Sequence, residues 1–174
     1  MTNINNTKNP KKSTQNSIVL TAMFAAMICV TTIFPRLPTA IGYIHLGDSI
    51  IYLAASILPL PFAVLSASIG GGLADLFSAP VWVIPTVIIK ALITLPFWAK
   101  GDKIVSKRVY LLLILSGMIS ISGYFITSCI LYGFAAATVE LIPSLTQAVS
   151  SAIVFTAIGL ALDKANIKNR LRRF

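Results

Sequence analysis

The chain has 174 residues, 56% hydrophobic and only 11% charged, with a net charge of +9 and a mean hydropathy of +0.86. A soluble domain carries about twice that charged fraction, so the composition argues against a soluble globule and for a chain lying mostly in lipid. Nucleic-acid binding is the weaker reading of the basic balance. Of the 14 Lys and Arg, 12 fall in three clusters beside apolar runs: Lys8, Lys11, Lys12; Lys100, Lys103, Lys107, Arg108; and Lys164, Lys168, Arg170, Arg172, Arg173.

In chain order, residues 1–16 are polar and Asn-rich and are expected to be disordered. The uncharged run 18–34 has the length of one span and ends at Pro35 and Pro38. No A-x-A-like cleavage site follows it, so it reads as a helix rather than a leader. GYIHLGDSI at 42–50 then holds the chain's one histidine, His45, and one of its five acids, Asp48. Asp48 reads as the N-cap of the second helix, with Gly47 allowing the turn.

Residues 49–99 contain two charges, Asp75 and Lys90, and have room for two or three helices. The basic N-terminus and the basic 100–108 loop should share the cytoplasmic side, so an even number of spans separates them and three helices follow the first. They are placed at 48–60, 61–78 and 81–99, with LPLP and SAP as turns. The first of these is short for a span. The run 109–139 gives a fifth helix and an outer loop ending near Glu140; 143–162 gives a sixth. The expected fold is all-α, a six-helix transmembrane bundle at 17–163. Both termini are expected to be cytoplasmic, with a basic tail at 164–174.

Ionisable groups inside a bilayer are functional candidates by default. Lys90 lies about nine residues, roughly 13 Å, below the outer end of its helix. Asp75 sits near the outer end of the preceding antiparallel helix, so an Asp75–Lys90 structural ion pair is one expectation. The other is a Lys90 that points into an outward-facing pocket and donates to a ligand, and the two are compatible if Asp75 holds the lysine in place. Trp82, Thr86 and Lys90 fall on one stripe at i, i+4, i+8. Tyr124, Ser128 and Tyr132 repeat the spacing on the fifth helix, and Gln147 and Ser151 on the sixth. Aromatic rings alone would suit an interfacial belt. Rings, hydroxyls, an amide and an ammonium at one depth instead suit a pocket for a small, flat, polar ring. Ala22 and Ala26 form a small-xxx-small pair on the first helix, and 67/71, 68/72 and 70/74 do so on the third. The third-helix set reads as internal packing.

Cys29 and Cys129 read as small hydrophobes, with neither a disulfide framework nor a metal spacing. No G-x-x-x-x-G-K-[ST] is present, so the chain has no ATP motif of its own. No H-E-x-x-H or nucleophile–histidine pair points to catalysis, and no cofactor or metal is expected. No inverted repeat marks a self-contained transporter.

GYIHLGDSIIYLAA at 42–55, GGGLADL at 70–76, TVIIKAL at 86–92 and the A-x-x-x-A of Ala22 and Ala26 resemble the substrate-binding (S) components of energy-coupling factor (ECF) vitamin transporters. The subgroup they look like is that of the hydroxymethylpyrimidine and pyridoxine carriers. The resemblance implies a six-helix, non-enzymatic membrane subunit that captures a small vitamin from outside. The loop 36–47 would act as a lid, and His45, Asp48, Trp82, Thr86, Lys90, Tyr124, Ser128 and Gln147 would be ligand contacts. It also implies docking through Ala22 and Ala26 on a transmembrane coupling subunit tied to two cytoplasmic ATPases. Two alternatives stay open: a small membrane enzyme using His45 and Asp48 as an acid–base pair, and a facilitator independent of ATPases.

Overall fold

The computed structural model describes residues 10–40, 43–98, 101 and 103–171. Helix α1 (Pro10–Ile33) is followed by a two-stranded antiparallel ribbon, β1 (Arg36–Pro38) with β2 (Tyr43–His45), and then by α2 (Gly47–Ile57), α3 (Leu60–Ser78) and α4 (Val83–Leu92). Short 3-10 turns, Pro80–Trp82 and Leu95–Trp98, extend α4 at both ends. Helices α5 (Lys107–Tyr132), α6 (Phe134–Val139), α7 (Leu141–Lys164) and α8 (Ile167–Leu171) complete the chain. Among the described residues, five segments are long and apolar enough to cross a membrane: 14–33, 60–78, 80–98, 107–132 and 134–164.

The fold is helical as expected, while three details differ. The loop after α1 contains a short strand pair. Arg36 pairs with His45 and Pro38 with Tyr43 across the ribbon. Residues 10–16, expected to be disordered, form the first turns of α1; Pro10 suits a first helical position because its missing N–H would have no intrahelical partner there. Residues 1–9 lie outside the described part, as do 172–174 of the basic tail.

The second helix is an internal element. At 11 residues it is roughly 16 Å long, half a bilayer core, and every residue from Gly47 to Ser56 is buried. Around it the contacts run α1–α3–α4–α5–α7 and back through α2. Glycines set the closest approaches. A Cβ on Gly70 would lie 2.6 Å from the Ala25 carbonyl oxygen, and one on Gly72 would lie 2.7 Å from Val87. The glycine run of α3 therefore serves internal packing, as its spacing suggests. One half of the bundle is filled by Tyr52, Phe97 and Phe155, ring centroids 5.9–6.5 Å apart. The same half is closed by Asp163, whose carboxylate accepts the Ile104 and Val105 N–H groups at 2.8 and 2.9 Å. The polar residues gather in the other half, under the ribbon.

Candidate functional site

Strand β2 packs against α7 and α1. Beneath it lies a cavity of about 80 Å³ lined by Tyr43, His45, Asp75, Trp82, Tyr124, Ser128, Glu140 and Gln147, among others. Five of the eight expected contacts thus line one space: His45, Trp82, Tyr124, Ser128 and Gln147. Asp48, Thr86 and Lys90 are almost fully buried beneath them and connect by hydrogen bonds or ring contact to lining residues. The α4 stripe faces inward as its spacing requires. Trp82 packs on Tyr124 and Tyr132 at 5.8 and 6.0 Å between centroids, but Tyr132 is exposed and is not part of the lining.

The expected Asp75–Lys90 pair is not formed. Lys90 Nζ donates to Asp48 Oδ1 at 2.5 Å, with both side chains 1% exposed. The cause is the depth of α2, whose first turn sits level with Lys90, while Asp75 is level with Thr86, one turn nearer the ribbon. Asp75 accepts the Thr86 hydroxyl on one oxygen and the Tyr43 phenol at 2.5 Å on the other. Because Thr86 spends its proton on Asp75, the Tyr124 hydroxyl donates to Thr86, 3.1 Å away. The Lys90 ammonium lies 5.1 Å from the Tyr124 ring centroid.

Asp48 is not the N-cap either. It lies inside the first turn of α2, after Leu46, and no side-chain cap bond comes from the cap position. The capping acceptor is His45, whose Nδ1 takes the Gly47 N–H at 3.0 Å, so its proton resides on Nε2. Burial, and then the Lys90 charge, lower the His45 pKa to about 4, which keeps the ring neutral and able to accept. Gly47 serves close packing: a Cβ there would lie 2.1 Å from the Thr32 hydroxyl oxygen.

Two polar ties hold β2 down. Tyr43 binds Asp75, and burial together with that carboxylate keeps the phenol protonated, raising its pKa well above its ordinary value. The His45 backbone N–H donates to Gln147 Oε1 at 3.2 Å, while Gln147 Nε2 reaches Asp48 Oδ2 at 3.4 Å. A third tie, Thr39 to Glu140 at 3.0 Å, anchors the other side of the ribbon. From the ribbon downward, the hydrogen-bond chains therefore run Tyr43–Asp75–Thr86–Tyr124 on one side and His45–Gln147–Asp48–Lys90 on the other. Ser151, one turn below Gln147, is fully buried, and its hydroxyl has no hydrogen-bond partner among the described residues.

Sequence reading missed Tyr43 and Glu140 as lining residues, and it assigned Asp75 to a structural pair. Strand alternation would have found Tyr43, since Y-I-H puts residues 43 and 45 on one face. Ala22 and Ala26 are exposed on α1, whose inward face is Thr21, Ala25, Ile28 and Thr32.

Against known proteins, residues 12–164 match the model of the family described as ECF-type riboflavin transporter, S component. An archaeal relative from Pyrococcus woesei, described as an uncharacterized protein in the gap 3′ region, is 30% identical over 141 residues, covering 79% of this chain and 95% of its own length. The family match covers most of the chain, and the chain belongs to the ECF-type riboflavin transporter S component family.

Proposed function

We propose that this chain is the vitamin-capturing subunit of an ECF-type importer in a bacterial cytoplasmic membrane. Its ligand is a one-ring hydroxymethylated aza-aromatic, of hydroxymethylpyrimidine or pyridoxine type. The observation that carries the ligand class is the cavity beneath β2. Trp82 and Tyr124 offer ring faces, while Asp75, His45, Ser128 and Gln147 offer hydrogen bonds around a space of about 80 Å³. A small flat ring with hydroxyl and ring-nitrogen groups uses both kinds of surface. Lys90 and Asp48 act from beneath, holding Tyr124 and Gln147 in place.

The family's description favours a second reading, a flavin. Its three fused rings are larger than one ring, so it would need a wider opening of the cavity beneath the ribbon than a one-ring ligand does. Membership in a transporter-subunit family, together with the geometry, speaks against the enzyme alternative. His45 Nδ1 is occupied by Gly47, and Asp48 is occupied by Lys90 and Gln147. The proposed cycle has the ribbon close over the vitamin, α1 dock through Ala22 and Ala26 on a coupling subunit, and two partner ATPases supply the energy for release inside.

Denaturing extraction of the purified protein followed by mass spectrometry tests the ligand. A one-ring hydroxymethyl heterocycle at about one per chain supports the proposal. Recovery of riboflavin transfers the assignment to the second reading, and a ligand chemically converted during incubation contradicts both.

A further inference from the structure

A second opening lies away from the polar cavity. It is an apolar groove of about 740 Å³ between α5 and α7, with Ile114, Gly117 and Ile121 on one wall and Val149, Ile153 and Leu160 on the other. Its α7 wall runs from Leu145 to Leu160, roughly 22 Å at helical rise, more than half of a hydrocarbon core of about 30 Å. Thr156 lines it too, but its hydroxyl is spent on the Ala152 carbonyl at 2.8 Å. The walls thus present a dry slot.

Both walls run into a lysine at the same end. On α5, positions 107, 110, 114, 117 and 121 share a stripe, so Lys107 continues the wall past Tyr110. On α7, positions 149, 153, 156, 160 and 164 do the same, so Lys164 continues it past Leu160. Both lysines are exposed, and among the described residues neither has an ion-pair partner. The neighbouring acid, Asp163, has both carboxylate oxygens engaged by the Ile104 and Val105 N–H groups. That clasp also fixes the end of α7 to the segment that starts α5, holding the two lysines at one end of the bundle.

We infer that the groove is a binding site for a phospholipid with an anionic headgroup. One acyl chain lies between α5 and α7, and the phosphate lies between Lys107 and Lys164. A phosphate suits two ammonium groups, which act as point charges. An anionic leaflet supplies that partner at the membrane face where basic residues gather. A helix of another protein fits less well, since it brings no required negative charge. The exposed alanines belong to α1, which packs on α2 and α3, whereas the groove belongs to α5 and α7. The lipid site is therefore compatible with docking through α1 and does not depend on it.

Native mass spectrometry tests this on protein reconstituted with equal phosphatidylglycerol and phosphatidylcholine and then released into mild detergent. The wild type should retain one phosphatidylglycerol in preference to phosphatidylcholine. Lys107→Ser with Lys164→Ser should lower that preference at least tenfold, roughly fivefold for each lysine. Ile153→Trp, at a position 63% exposed and so tolerant of bulk, should remove the retained lipid while melting temperature stays unchanged. Equal retention of the two lipids, or phosphatidylglycerol held undiminished by Ile153→Trp, overturns the inference. A Val149→Cys cross-link to a second copy or to another subunit overturns it as well.

Discussion

At the scale of single residues, the Lys90–Asp48 pair decides the most. Two charges removed from water cost more than their attraction returns unless other hydrogen bonds help, and here Gln147 supplies one to Asp48. Removing one partner strands the other. Lys90→Met is expected to lower unfolding stability by about 3–5 kcal/mol, and adding Asp48→Leu should restore most of it. Unfolding in detergent measures both, and a Lys90→Met protein as stable as wild type would show that the pair is not structural. His45 gives a pH signature. The unfolded imidazole takes a proton near pH 6.5 and the folded one only near 4, so between those values the unfolded chain binds more protons. Stability is fully present above pH 6.5 and is lost as pH falls towards 4, on the order of 3 kcal/mol across the window. Melting temperatures from pH 7 to 4.5 should fall for wild type and stay flatter for His45→Asn, whose amide oxygen still accepts the Gly47 N–H.

At the scale of elements, the apolar runs and turn residues were readable because lipid demands long uncharged helices and proline marks their ends. The inward stripes on α4 and α7 were readable from i, i+4 spacing. The depth of α2 was not: nothing in GDSIIYLAASI says that its first turn sits level with Lys90 rather than with Asp75, so the partner of the lysine was misassigned. The β ribbon was hidden because three-residue strands do not announce themselves in the sequence; once the strand is known, Y-I-H puts residues 43 and 45 on one face. Helix packing and the lid carry predictions of their own. A Cβ on Gly71 would lie 2.9 Å from Lys90 Cγ, so Gly71→Val should push the lysine stem off Asp48 and weaken ligand retention with the helices still formed. Helical circular dichroism alongside ligand binding separates those effects. Tyr43→Phe removes the tie to Asp75, worth about 1 kcal/mol, and should raise the ligand off-rate about fivefold in stopped flow with little change in melting temperature.

For the whole molecule, three surfaces stand apart: a polar cavity under the ribbon at one end, an alanine face on α1, and an apolar groove that ends in lysines. Ala22→Leu with Ala26→Leu should leave ligand binding unchanged and reduce ATP-dependent uptake in cells at least tenfold; unimpaired uptake would remove α1 as the docking face. The central claim is that a small ring binds between β2, Trp82 and Tyr124. Of the two tryptophans, Trp98 is exposed outside the cavity, so a Trp98→Phe protein reports from Trp82 alone. Titrating that protein with pyridoxine and with hydroxymethylpyrimidine should give saturable fluorescence quenching by one of them at one site per chain, lost on Asp75→Asn with Tyr43→Phe. Unchanged Trp82 emission with both compounds, in protein shown to be folded, would contradict the account.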